Sequence, residues 1–268
     1  MNIKAWFHRT LLLIMTSTML LGLMLSTHGV RAQEVDNSDW WVAIANDRAD
    51  VVKRLLEDGA DANAVGTSGQ PPIMFAIREG AWEVYDILLR HPDTAYNAIN
   101  VNRETPLMYL AVIGETERAQ DIIRRGAMVN RPGWTPLHYA ASTGKVDTTK
   151  MLLEHGADVD ARSPDGTTPL MMAAYSGSEA VVRLLLDAGA DVHLRTAQDY
   201  NVVDWAGFKQ HTRLGAKLQS LIDHQLGSEG ASAVFDDGPA QPDTTSDKQQ
   251  GGTSRYFDLD RFNDDVTP

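Results

Sequence analysis

The sequence predicts an all-α fold: a solenoid of about six stacked helix–turn–helix repeats, joined by β-turn or hairpin fingers. Three observations predict it. Residues 37–226 are self-similar with a period near 33. The heptad Thr135-Pro136-Leu137-His138-Tyr139-Ala140-Ala141 returns as Thr168-Pro169-Leu170-Met171-Met172-Ala173-Ala174 and, earlier, as Thr105-Pro106-Leu107-Met108-Tyr109-Leu110-Ala111. A Leu-Leu pair and a turn follow, as in Leu152-Leu153-Glu154-His155-Gly156-Ala157-Asp158 and Leu185-Leu186-Asp187-Ala188-Gly189-Ala190-Asp191. A fixed period of this size marks units that bury their apolar faces only against neighbours.

Residues 1–32 read as a cleavable export signal. Lys4 and Arg9 supply a positive start, and no acidic residue precedes Glu34. Leu11 to Leu25 is an apolar run broken only by Thr16, Ser17, Thr18 and Gly22. It is shorter than the roughly 20 residues that a membrane-spanning helix needs. Val30-Arg31-Ala32 presents small or slender side chains three and one before a cut after Ala32. An uncleaved N-terminal membrane anchor is the alternative. The cleaved chain carries 21 basic and 36 acidic residues, a net charge of −15.

The domain at 33–226 divides into repeats at about 37–65, 66–99, 100–129, 130–162, 163–195 and 196–226. Thr135 and Thr168 suit helix N-caps, and Pro136 and Pro169 fall in the first turn, where a missing N–H costs nothing. Ala140-Ala141 and Ala173-Ala174 let two helices approach closely. Gly144 and Gly177 end the first helix of a repeat. Val181 to Leu186 carries the apolar face of a second helix, and Gly156 and Gly189 end such helices. The positions equivalent to the heptad's proline are 72, 106, 136, 169 and 202, at intervals of 34, 30, 33 and 33. The short interval predicts a truncated finger between the third and fourth repeats. The second repeat replaces the glycine turn with His91-Pro92-Asp93-Thr94. The first repeat opens on Asp39-Trp40-Trp41 without the heptad, and it and the sixth read as caps.

These motifs, in register over about 190 residues, resemble the ankyrin repeat family. The resemblance implies that His138 hydrogen-bonds loop backbone between repeats. It implies that the column Phe75, Tyr109, Tyr139, Met172 and Trp205 packs between helices, where the family usually has Leu. It also implies where partners bind: the finger position before the Thr and the two residues after Ala-Ala. Here these are Gln70, Glu104, Trp134, Thr167 and Tyr200, then Arg78-Glu79, Val112-Ile113, Ser142-Thr143, Tyr175-Ser176 and Phe208-Lys209. Trp134, Tyr175, Tyr200 and Phe208 stand out, because large aromatics are preferred interface anchors. With its leader, the chain is similar to small exported bacterial ankyrin-repeat proteins, which implies a periplasmic location and a role supporting stress or redox defence.

Residues 227–268 hold nine acidic and three basic residues and few apolar ones, the composition of a disordered acidic tail. Within it, Tyr256-Phe257-Asp258-Leu259-Asp260-Arg261-Phe262 alternates aromatic and acidic side chains in the manner of a short docking motif. A calcium loop would need a Gly and a terminal Glu that are missing there.

The formal charge of −12 argues against nucleic acid and anionic membrane surfaces as partners, apart from the leader itself. The absence of cysteine excludes disulfides, thiolate metal sites and a cysteine nucleophile. No nucleophile elbow, zinc helix, phosphate loop or dinucleotide glycine motif is present. Histidines 91, 138, 155, 193, 211 and 224 form no i, i+4 pair. The sequence therefore predicts no catalytic residue, no metal and no cofactor. It predicts a monomeric, non-catalytic protein–protein interaction module of the bacterial periplasm. A secreted effector or toxin-neutralising factor, and an enzyme with an unrecognised site, are the alternatives.

Overall fold

A computed structural model describes residues 37–224 and 234–235, and twelve α-helices in six pairs run through the first of these segments. The expected export leader, with its cut after Ala32, lies outside the described residues, as does most of the expected tail. The pairs are α1 Asn37–Ala45 with α2 Ala49–Glu57, α3 Pro72–Glu79 with α4 Trp82–Arg90, and α5 Pro106–Ile113 with α6 Thr116–Arg124. They continue with α7 Pro136–Ser142 and α8 Val146–Glu154, α9 Pro169–Ser176 and α10 Glu179–Asp187, and α11 Val202–Phe208 and α12 Thr212–Asp223. No strand occurs among the described residues.

The first helices start where the heptad places a cap. Thr168 Oγ1 accepts the Met171 N–H at 3.3 Å and Thr105 Oγ1 accepts that of Met108 at 3.4 Å. Asn201 closes a reciprocal box with Asp204: Asn201 Oδ1 accepts the Asp204 N–H (3.1 Å), and Asp204 Oδ2 accepts the Asn201 N–H (2.8 Å). Helix α4 has no cap of its own. Asp47, in the previous repeat, accepts the Val84 and Glu83 N–H groups at 2.8 and 3.2 Å. Second helices end on left-handed Gly156 and Gly189. In the second repeat, which lacks that glycine, the buried Thr94 hydroxyl donates instead to the Leu88 carbonyl at 2.6 Å.

First helices pack in one row, from α3 through α5, α7 and α9 to α11, and second helices in another, from α2 through α4 and from α6 through α8 to α10. The core lies between the rows. Leu107, Leu137 and Leu170 are buried there with Leu88, Ile122, Leu152 and Leu185, while Ala140, Ala141, Ala173 and Ala174 keep the helices close. Each such side chain removed from water contributes about 1.5–3 kcal/mol. At the last repeat, Phe235 is 4 % exposed and stacks under Lys217 Nζ, 5.0 Å from its ring centroid. Phe235 falls inside the stretch expected to be a loose tail, so that expectation is wrong at this residue. The reason is its large aromatic surface, which gains more from burial than the flanking polar residues could.

Four fingers share one construction. The N–H of residue i meets the carbonyl of i+4 in 66–70, 100–104, 163–167 and 196–200, and the N–H of i+3 meets the carbonyl of i. The segment between the third and fourth repeats is shorter, and no such pair of bonds closes it among the described residues.

Two sets of side chains lace the repeats together. The first is a ladder along the turns after the second helices. Asn63 Nδ2 donates to the Asp93 carbonyl (2.7 Å) and its Oδ1 accepts the Ala95 N–H (2.8 Å). Asn97 repeats this with Gly126 and Met128 (2.9 and 2.8 Å), and Asn130 with Gly156 and Asp158 (2.8 and 2.9 Å). The next rung is Asp160. Its Oδ1 accepts the Asp191 N–H at 3.0 Å, but a carboxylate has no hydrogen for the equivalent carbonyl, that of Gly189. Burial pushes the Asp160 carboxyl above its ordinary range, opposed by the Asp191 N–H bond, with the Asp191 and Asp158 charges adding to the rise.

The second link is His138, fully buried. Its Nδ1 accepts the Thr135 N–H (3.2 Å) and lies 2.9 Å from Thr135 Oγ1, while Nε2 meets the Thr167 carbonyl at 3.0 Å. A carbonyl only accepts, so Nε2 carries the hydrogen and the ring is neutral. Burial drives its pKa from 6.5 down to about 4. In the neighbouring repeat Met108 Sδ takes the Thr105 N–H in the same way, at 3.4 Å.

Two outcomes follow. Asp160→Asn restores the missing donor and should stabilise the protein by about 1 kcal/mol at pH 7 in urea unfolding. Because the folded-state carboxyl titrates high, the wild-type rung is strongest when protonated, so the gain should shrink as the pH is lowered. For His138 the sign is opposite. Between pH 6.5 and about 4 the unfolded chain binds a proton that the folded chain refuses, so stability falls with falling pH by up to roughly 1.4 kcal/mol per unit. His138→Met, the residue at the equivalent positions 108 and 171, should remove one proton's worth of this slope. An unchanged slope would show that His138 titrates normally.

Candidate functional site

The residues expected to face a partner separate into a buried set and an open set. The finger-base position is buried at Gln70, Glu104 and Thr167, half-buried at Trp134 and exposed only at Tyr200. Burial takes Gln70, Glu104 and Thr167 off the open surface, and for Gln70 and Glu104 the cause is the next repeat. Tyr109 takes the Gln70 Nε2–H on its hydroxyl at 2.9 Å, across 39 residues. The Tyr139 hydroxyl donates to Glu104 Oε1 at 2.7 Å, across 35. Asn100 joins the two pairs, donating from Nδ2 to Glu104 Oε2 (2.7 Å) and to the Tyr109 hydroxyl (3.1 Å), while its Oδ1 accepts the Glu104 N–H. Glu104 is only 2 % exposed, so these bonds hold its carboxylate oxygens in place of water. Tyr109 and Tyr139 thus fill the core as expected and also supply the polar ends that the fingers need. Trp134 packs edge-on against the His138 ring, with centroids 5.1 Å apart.

The positions after Ala-Ala divide in the same way. Val112 and Ser142 are buried, so neither is a surface contact. The Ser142 hydroxyl donates to the Tyr139 carbonyl (2.7 Å), and that of Thr143, half-buried, to the Val112 carbonyl of the preceding repeat (2.8 Å). Ile113 is half-buried. The Thr143–Val112 bond ties α7 back to α5. Arg78 and Glu79 are exposed and paired with each other at 2.7 Å, and Arg78 lies over the Phe75 ring at 4.7 Å. An exposed pair of this kind contributes little to stability, about 0–1 kcal/mol.

The open set gathers at the last two repeats. Tyr175 on α9 meets Trp205 on α11 edge-on at 5.9 Å, Trp205 meets Phe208 at 5.7 Å, and Phe208 meets Tyr200 of the finger at 5.2 Å. Lys209 Nζ lies 5.0 Å from the Tyr175 centroid. Tyr200 and Phe208 remain 44 % and 52 % exposed. The cluster is held from behind. His211 donates Nε2–H to the Tyr175 carbonyl (3.1 Å), and its ring sits against Gly177, whose positive φ and lack of a Cβ both serve this approach. The structure thus brings together three of the expected aromatics, Tyr175, Tyr200 and Phe208, and leaves Trp134 apart. It adds Trp205, which the sequence reading assigned wholly to the core. Trp205 stands in the column where the fifth repeat has Met172, and that change to a larger, polar-tipped ring was the available signal. Edge-to-face rings with open faces, one of them under a cation, offer apolar area and cation–π capacity in one place.

Among the described residues, no group of three His, Asp or Glu side chains is placed to hold a metal ion. No helix among them is long and apolar enough to cross a membrane.

Comparison with known proteins agrees with this architecture. A family model described as ankyrin repeats (3 copies) matches residues 40–132 and 111–196. The neurogenic locus notch homolog protein 1 of Mus musculus is 36% identical over 119 residues, 43% of this chain and 5% of that protein. The neurogenic locus notch homolog protein 2 of Homo sapiens is 37% identical over 116 residues, 42% of this chain and again 5% of that protein. The chain therefore spans about a twentieth of the length of these relatives. The crystal structure of the ankyrin repeat domain of Bcl-3, described as a unique member of the IkappaB protein family, superposes with a TM-score of 0.56 at 25% identity, covering 65% of this chain and 80% of that one. With more than half of its residues matched by the repeat model, the chain belongs to the ankyrin repeat family.

Proposed function

We propose that this chain is a non-catalytic protein–protein interaction module that holds a partner protein through Tyr175, Tyr200, Trp205, Phe208 and Lys209. One observation carries the reading: an edge-to-face aromatic cluster leaves two large rings half in water on the face of α11 and its finger. Apolar rings left open in this way mark interaction sites, and aromatic residues dominate interface energetics. Membership of a repeat family whose members typically bind proteins supports the same reading. The module works in the bacterial periplasm in support of stress or redox defence. The location is supported by the Lys4/Arg9 start, the apolar run 11–25 and Val30-Arg31-Ala32, and the pathway by the likeness to small exported ankyrin proteins.

Two measurements test this. Tyr200→Ala and Phe208→Ala should each weaken capture of the partner from a cell-envelope extract at least tenfold, or about 1.4 kcal/mol, with the thermal midpoint unchanged. Arg90→Ala, on the second-helix row, should leave capture intact. Undiminished capture by both aromatic variants would reject the surface. The protein recovered from the envelope should begin at Gln33 by intact mass, whereas a chain retaining Met1 would support the membrane anchor instead.

A further inference from the structure

The finger between the second and third repeats departs from its neighbours in a way that the aromatic surface does not explain. In the four closed fingers, the residue before the last has a positive φ: Gly69 (69°), Arg103 (62°), Gly166 (86°) and Asp199 (67°). Glycine adopts this left-handed region without steric cost, and aspartate tolerates it through a short side chain that bonds locally. Arginine has neither advantage. Arg103 therefore keeps a strained backbone that glycine at the same place would relieve, and strain of this kind concentrates where function needs it.

The surroundings say what the guanidinium is for. Among the described residues Arg103 is in no ion pair, and neither is Arg131. Arg131, half-buried, donates to the Arg103 backbone carbonyl, which brings two like charges together. Burial first, and the Arg103 charge second, lower the Arg131 pKa. Two residues before Arg103, Val101 is 75 % exposed, and it lies so close to Gly69 of the neighbouring finger that a Cβ there would collide with it. A strained finger thus presents two guanidiniums beside a bare apolar side chain, in a chain of net charge −12.

We propose that this patch is the docking site of the chain's own segment Tyr256–Phe262, making the finger a seat for the tail separate from the aromatic partner surface. Charge and pattern both match. In an extended segment, alternate side chains share a face, which groups Tyr256, Asp258, Asp260 and Phe262. The two carboxylates are then about 7 Å apart, set to meet two guanidiniums, and an aromatic ring at either end covers Val101. Length also permits it. Twenty residues lie between Phe235, packed under Lys217, and Tyr256. Such a chain reaches up to about 70 Å, and four repeats at helix-packing spacings of about 10 Å lie within that span.

Amide hydrogen exchange on the full chain tests the proposal. Residues 256–262 should exchange about fivefold or more slowly than the same segment in Asp258→Asn/Asp260→Asn, and the protection should vanish in high salt. Arg103→Gly should abolish the protection while melting no lower than wild type, because it supplies the residue that Gly69 and Gly166 already provide in their fingers. Equal exchange in wild type and Arg103→Gly overturns the proposal. So does protection that disappears on dilution, which assigns the site to a second copy, and so does protection that appears only with another protein added.

Discussion

A repeat of about 33 residues has no interior of its own, so every side chain that leaves water must be matched by the repeat before or after it. The rule covers polar groups as strictly as apolar ones, because a buried donor or acceptor without a partner costs about 1–3 kcal/mol. The cross-repeat bonds are its visible result. Asn63, Asn97 and Asn130 lace successive turns, His138 reaches the Thr167 carbonyl, Thr143 reaches that of Val112, and Gln70 reaches Tyr109. Each bond spans roughly one repeat, so stability is built from nearest-neighbour interfaces. The cost of any weak rung, such as Asp160, stays local to the two repeats that it joins.

Much of the fold was legible because its signals are local. Thr-Pro at helix starts, glycine after helix ends and paired alanines act within a few residues of where they stand, and their physics needs no knowledge of the neighbour. The finger bases were not legible in this way. Whether Glu104 is a surface residue depends on Tyr139, 35 residues on, and Gln70 depends on Tyr109 likewise. Read as pairs, the two columns carry the information: polar finger bases at 70 and 104 are followed by tyrosines at 109 and 139, whereas Trp134 is followed by Met172. A tyrosine in a column that packing alone would fill with Leu signals a buried polar group one repeat back. Phe235 escaped notice for a related reason, since the composition of 227–268 averages away a single aromatic that finds a place to pack.

The distribution of open surface follows from the same constraint. Interior repeats are covered on both sides, so much of their finger-base and post-alanine surface is consumed by packing, as Glu104, Thr167, Val112 and Ser142 show, with Arg78 and Glu79 left exposed. Among the described residues the last repeat has one neighbour fewer, and no tyrosine from beyond it meets Tyr200, the equivalent of Glu104. The open aromatic cluster therefore lies at the end of the described stack.

Exposure at an end does not by itself imply binding, because any terminal repeat loses cover. What distinguishes this end is composition. A repeat that merely closes a stack needs a polar outer face for solubility, and polar or charged side chains at 200 and 208 would serve that purpose. Instead the chain places a tyrosine and a phenylalanine there edge-on to each other, sets Phe208 against Trp205 and Trp205 against Tyr175, and holds Lys209 over the last ring. On the other side of the same repeat, Phe235 and Lys217 do close the core, with Lys217 held to Glu179 at 3.0 Å. The terminal repeat thus covers its helices where cover is needed and keeps its aromatic face open. Capping explains the first feature and does not require the second, which is the feature the proposed partner surface rests on.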